Sequence, residues 1–273
     1  MVSVANNRKN AADDEQHDAT ADHLAGRVLN LSSRRVLKRS EVIARDLAQY
    51  IVDSRLPAGT RLPREREMIE QLGVGRTTLR EALRSLETRG VLTIRSGPGG
   101  GPVVRRPEPS DLTESLTLIL QFQRATLVEV LDARAWIEPT VARMAASHIT
   151  KAEIRRLEEI NEEMKAAIDS DEESIMRANQ QFHRVIAAST GNLVVQIFTE
   201  TLLNVADSGA TELKHSRDFK RVAVQGHEEV IAALEAGDPD RAEAAMREHV
   251  LEGKKRRVRE NRDLMSRPLR WVQ

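Results

Sequence analysis

One short stretch constrains this chain more than any other. Apolar residues recur along most of it at spacings of three and four, the helical period. Val91-Leu92-Thr93-Ile94 and Gly101-Pro102-Val103-Val104 depart from it, as two β-like runs around the turn Ser96-Gly97-Pro98-Gly99-Gly100. Three helical patterns precede that hairpin. From Ser40, residues Val42, Ile43, Leu47, Tyr50 and Ile51 share a face, until Leu56-Pro57-Ala58-Gly59-Thr60 ends the helix. A short helix follows Pro63, from Arg64 to Leu72, and the turn Gly73-Val74-Gly75 leads into a third. There Leu79, Ala82, Leu83 and Leu86 sit at i, i+3, i+4 and i+7, and Gly90 stops the helix. Three helices and a hairpin predict a winged helix-turn-helix domain over residues 39–106.

Past the linker Arg106-Pro107-Glu108-Pro109 every segment reads as helix. Candidates run from Asp111 to Gln121 and from Leu127 to His148. Thr150 and Ser170 each open a helix, with Glu153 and Glu173 at capping-box spacing. Further helices span about Asn192 to Leu213 and Asp218 to Ala236, and the last starts at Asp238-Pro239. The fold class expected is mainly α, with an all-α bundle of about seven helices over residues 107–252. Residues 1–38 lack periodicity and read as a disordered arm, and residues 253–273 as a basic tail.

The net charge of zero conceals an asymmetry. Residues 31–107 hold 16 Lys and Arg against 8 Asp and Glu, whereas residues 108–252 hold 15 against 27. A basic first domain on an acidic second one predicts a polyanionic partner for the first alone. The absence of cysteine excludes disulfides, thiolate metal sites and a cysteine nucleophile. No apolar run approaches the ~20 residues of a membrane helix, and the first 25 residues have no signal-peptide character. A cytoplasmic protein without membrane contact is expected.

On the third helix Arg76, Thr77, Arg80 and Arg84 form an arc separate from the apolar one. Arginine there can donate two hydrogen bonds to guanine in the major groove of a double-stranded operator. Arg66 and Thr78 are placed to reach phosphates, and the wing glycines, Gly97 and Gly99 among them, allow close backbone approach. A solvated basic face with i,i+4 partners is the plainer alternative. The glycine run is no phosphate loop, since neither Gly-Lys-Ser/Thr nor a helix follows it.

In the acidic half, three histidines sit on apolar faces. His183 lies with Ile175, Phe182 and Ile186; His227 with Ala223, Val230, Ile231 and Leu234; His249 with Ala242, Ala245 and Met246. Such rings are either hydrogen-bonded core residues or converge on a divalent metal, with Asn179 adding an oxygen. Arg134 falls on the arc of Leu127, Val130, Ile137 and Val141. It either pairs with Glu138 or awaits a ligand carboxylate.

These residues carry a resemblance. Pro57-x-Gly59-x-x-Leu62-Pro63-x-Glu65-Arg66-Glu67, followed by Leu72-Gly73-Val74-x-Arg76-Thr77-Thr78-Leu79-Arg80-Glu81-Ala82-Leu83, resembles the GntR family of bacterial transcription regulators. Arg134-x-x-x-Glu138, Asn179-x-x-Phe182-His183, His227-x-x-Val230 and Met246-x-x-His249 resemble the FCD effector domain of its FadR subfamily. The resemblance implies operator contacts from Arg66, Arg76, Thr77 and Arg80, and dimeric binding to a palindrome. It implies a divalent metal (zinc, nickel or manganese) on Asn179, His183, His227 and His249, and a small carboxylate effector assisted by Arg134. Two positions depart from the pattern. Gly75 stands where many members carry Ser or Thr, and Asn179 where many carry aspartate, which removes a negative charge from the metal site. The expected function is therefore a ligand-responsive homodimeric repressor and not an enzyme. Two readings compete with it: a metal-dependent enzyme with a nucleic-acid-binding appendage, and a metal-free regulator whose histidines satisfy one another.

Overall fold

A computed structural model describes residues 38–97, 100–169 and 172–270. The expected arm, Gly99 of the wing and the Ser170 cap lie outside these residues, apart from Lys38, the N-cap residue of the first helix. The chain divides after Arg106 into two units.

The first unit holds helices α1 (Arg39–Asp53), α2 (Glu65–Leu72) and α3 (Arg76–Thr88), then strands β1 (Leu92–Arg95) and β2 (Gly101–Val104). The strands pair antiparallel from Leu92 opposite Val104 to Arg95 opposite Gly101. Arg61 bridges to Val103, so the segment before α2 adds a third edge to the wing. Leu79, Ala82, Leu83 and Leu86 of α3 are fully buried against Ile43, Ala44 and Ile51 of α1 and Met68 of α2. Burying each such leucine is worth about 1.5–3 kcal/mol, enough to fix which face of α3 points inward. Gly73, at φ 59°, ends α2 in the left-handed conformation that turns the chain directly into α3. The face expected for α1 needs one correction. Tyr50 and Val42 are exposed, because the buried arc centres on Ser40, Ile43, Ala44 and Ile51 and leaves those two residues at its rim and far side.

Among its described residues the second unit contains seven long helices, α4 (Pro109–Phe122), α5 (Leu127–Ala146), α6 (Lys151–Ala167), α7 (Glu172–Ala188), α8 (Leu193–Gly209), α9 (Arg217–Glu235) and α10 (Pro239–Glu260), and a short α11 (Arg262–Met265). Thr126 and Thr150 form reciprocal capping boxes with Glu129 and Glu153, and Asn192 and Asp238 cap α8 and α10. One core joins α5, α6, α7, α9 and α10, and a second lies between α5, α8 and the C-terminal segment around Met265 and Leu269. No helix among the described residues is long and apolar enough to cross a membrane.

Two expectations change here. Ile137, placed on the inward arc with Arg134, is 42% exposed beside Trp136 at 75%. The inward face of α5 is instead built by Val130, Leu131, Arg134, Glu138, Val141 and Ala142. The basic tail from Gly253 is not separate from the helical unit, because α10 runs on to Glu260. Lys254 pairs with Asp132, Arg256 with Glu252 and Asp218, and Arg257 is buried. Acidic neighbours on α5 and α9 draw these cations inward.

Candidate functional site

On the first unit, the buried leucines of α3 turn Arg76, Thr77, Arg80 and Arg84 to solvent, as a helix that reads a groove requires. Gly75 is the N-cap and contributes no side-chain hydrogen bond, so the first N–H groups of α3 stay open to an anion. Arg80 Nε is 2.9 Å from Glu65 Oε2, and Arg66 Nε is 3.1 Å from Glu70 Oε1. Both pairs are solvent-exposed and weak, so a phosphate or base edge can displace them. Thr78 is half-buried at the helix start, and Gly97, at φ 93°, occupies a backbone region favoured by glycine.

In the second unit, α7, α9 and α10 bring His183, His227 and His249 together, with one nitrogen of each within 4.8 Å of the others. His183 Nε2 and His249 Nε2 are 3.4 Å apart. His227 is fully buried and stacks on Phe182 at 3.6 Å, and neither of its ring nitrogens has a hydrogen-bond partner among the described residues. Burial pushes all three imidazoles down, His249 to about 3 and His227 well below the ordinary value, with neighbouring rings adding to both effects. Neutral imidazoles offer lone pairs, the form that ligates a metal.

Behind the rings, Arg134 Nε lies 2.5 Å from Glu138 Oε1, and Glu138 Oε2 lies close to His183 Nδ1. Burial alone would raise the Glu138 carboxyl. Arg134 and His183 outweigh it and hold the group well below the usual carboxylate range. Of the two alternatives for Arg134, the pairing with Glu138 is formed through Nε, and the side chain also lines a cavity of about 560 Å³ with Asn179, His183 and His249. Asn179 is buried one turn before His183 on the same helix.

Three participants escaped the sequence reading. Asp207 of α8 is raised to about 6 by burial, against the pull of Arg134, Arg184 and Arg257. His215, in the loop before α9, donates from Nδ1 to Glu172 Oε1 at 2.7 Å. Arg257 lines the cavity. The only signal in the sequence was the interruption of apolar faces by polar residues, which charge counting over the tail obscured.

Gly226 explains how α9 and α10 approach so closely at His249. A Cβ there would lie 2.5 Å from His249 Nδ1. Gly226→Ala is expected to displace that ring and destabilise the unit by about 1–3 kcal/mol, measured by thermal unfolding of the full chain. An unchanged melting temperature would mean that the ring has room to move.

A groove-reading head joined to a helical unit with a buried polar cavity defines a ligand-responsive DNA-binding regulator. The chain belongs to the GntR family of bacterial transcriptional regulators, in the branch that carries an FCD domain. The model of bacterial regulatory proteins of the gntR family matches residues 39–100, and the FCD domain model matches residues 129–252. The Glc operon transcriptional activator of Escherichia coli (strain K12) is 31% identical over 223 residues, 79% of this chain and 87% of that one. The HTH-type transcriptional repressor NanR of Salmonella newport is 27% identical over 246 residues, covering 88% and 93% of the two chains. A solved structure, Streptococcus agalactiae GntR, superposes with a TM-score of 0.63 at 27% identity over 79% of this chain and 99% of that one. These relatives are transcriptional regulators, so the enzyme reading falls away and the chain acts by binding DNA under control of a small molecule.

Proposed function

We propose that the chain is a cytoplasmic, homodimeric repressor that binds a palindromic operator and releases it on sensing a small organic acid at a divalent-metal site. Asn179, His183, His227 and His249 would hold the ion, zinc, nickel or manganese. The ion would supply a positive centre that attracts a carboxylate oxygen, and Arg134 would bind the same acid group with its free guanidinium nitrogens. One observation carries this reading: both nitrogens of His227 are buried without a partner among the described residues. A metal-free cluster accounts for the His183–His249 contact but leaves His227 paying an uncompensated desolvation cost.

Dimerisation is supported by Phe122, Trp136 and Phe198, each more than 60% exposed, on α8 and on the two helices packed against it, α4 and α5. Effector binding would then shift the population of dimers whose paired heads match both half-sites. The NanR relative bears the name of a repressor.

Operator DNA titrated by fluorescence anisotropy, with and without zinc and candidate carboxylates, tests the proposal. Release by a carboxylate only when metal is present supports it, and affinity indifferent to every acid rejects the sensing step. A promoter reporter should rise when the regulator is deleted; a fall reverses the sign of control. Arg80→Ala is expected to weaken operator binding by about 1–3 kcal/mol and relax base preference, and unchanged affinity removes Arg80 from the reading surface.

A further inference from the structure

Four arginines line the cavity, and three of them face a carboxylate: Arg134 meets Glu138 at 2.5 Å, Arg256 meets Glu252 at 2.7 Å, and Arg241 meets Glu229 at 3.9 Å. Arg257 is the exception. It is 8% exposed and has no carboxylate within ion-pair distance among the described residues. Its Nε donates to the neutral ring of His215 at 3.3 Å, and its guanidinium lies over the Phe219 ring at 5.2 Å. His215 is anchored in turn by Glu172 at 2.7 Å, and Lys220 holds the other oxygen of that carboxylate at 2.6 Å. The Arg257 side chain is thus fixed by neutral contacts, while its terminal nitrogens have no hydrogen-bond partner among the described residues.

A buried guanidinium without a counter-charge is costly, and the cost is recovered when an anion completes the site. Burial, then the charge of Arg134, depress Arg257 to about 10, against the pull of Asp207 and Glu138. Asp207 acts on it only at longer range: no ion pair joins the two, and the Asp207 carboxylate lies 3.4 Å from Arg184. The neutral amide of Asn179 adds to the imbalance at the histidine end.

We propose that Arg257 is a second anion-binding residue of the cavity, and that the effector is a small dicarboxylate. One acid group would sit at the histidine end with Arg134, and the other on the free fork of Arg257. The guanidinium geometry matches a planar carboxylate, and the fixed side chain would lose little entropy on binding. This inference rests on the carboxylate-sensing reading above.

The test uses the full-length protein loaded with zinc and isothermal titration with malonate, succinate and glutarate against acetate, propionate and butyrate. Wild type is expected to bind at least one dicarboxylate about tenfold or more tighter than any monocarboxylate. Arg257→Gln should collapse that ratio to near one while zinc stoichiometry and monocarboxylate affinity stay constant. Arg257→Lys, which keeps the charge but loses the fork, should fall between. Equal binding of the two series by wild type, or a ratio unmoved in Arg257→Gln, overturns the inference and leaves carboxylate sensing intact. Failure of the zinc-loaded wild type to bind either series overturns both. If Arg257→Gln does not fold, the wild-type ratio and the lysine variant still decide.

Discussion

His227→Phe is expected to yield a metal-free protein more stable than metal-free wild type, yet unable to gain stability from metal. The reasoning begins with packing. The His227 ring lies parallel to Phe182, 7° from coplanar and 3.6 Å away, so a phenyl ring can take the same stacked position. The substitution removes two buried nitrogens that have no partner, each worth about 1–3 kcal/mol of desolvation cost. The slightly larger ring gives back part of that gain as overpacking. Wild type, by contrast, should gain about 2.7 kcal/mol when metal reaches a hundred times its dissociation constant, and the variant nothing. Thermal unfolding with chelator and with added zinc reads both quantities. A variant that is less stable without metal and melts higher with it, as wild type should, would remove His227 from the ligand set. His227→Ala is a poorer probe, because its cavity would destabilise the protein whatever the ring does.

The fold was legible because its determinants are local. The α3 stripe of Leu79, Ala82, Leu83 and Leu86, the Thr150–Glu153 box and the Asp238-Pro239 start are all read within one or two helical turns. The three histidines were legible for the same reason, each being a polar residue on an otherwise apolar helical face. Arg257 was not. Its burial depends on α10 continuing past Gly253 and on which charges from distant segments receive Lys254 and Arg256. Counted along the chain, Lys254-Lys255-Arg256-Arg257 is a basic run. In space, Asp132 is 122 residues away from the lysine it pairs with and Asp218 is 38 from its arginine. Periodicity carries no information about such pairings. The same limit misplaced Ile137: an apolar residue at roughly the right angle was assigned inward, although Arg134 and Glu138 form that face. The Arg134–Glu138 pair itself was legible at i,i+4 spacing, but what lies opposite it, His183 and the cavity, was not.

Glu138 joins those parts, and its replacement is the second large effect expected. Its two oxygens serve Arg134 and His183, and all three residues are at most 5% exposed. Glu138→Gln keeps the shape but strands the Arg134 charge, at a cost of about 3–5 kcal/mol for a broken buried pair. The carboxylate is depressed in the folded state, so its contribution is fully present above the unfolded value near 4.3 and is lost as pH falls toward the folded one. The stability gap between wild type and Glu138→Gln should therefore be full at pH 7 and narrow below about pH 4. Replacing both partners, as in Arg134→Met with Glu138→Leu, should restore most of the stability, because an apolar pair carries no desolvation cost. Metal affinity separates structure from function here. The carboxylate orients the His183 ring through Nδ1, and loss of such a support costs about 10–100-fold in affinity. The double variant should thus be stable but weak in metal, whereas recovery of both would show that Glu138 serves only to neutralise Arg134.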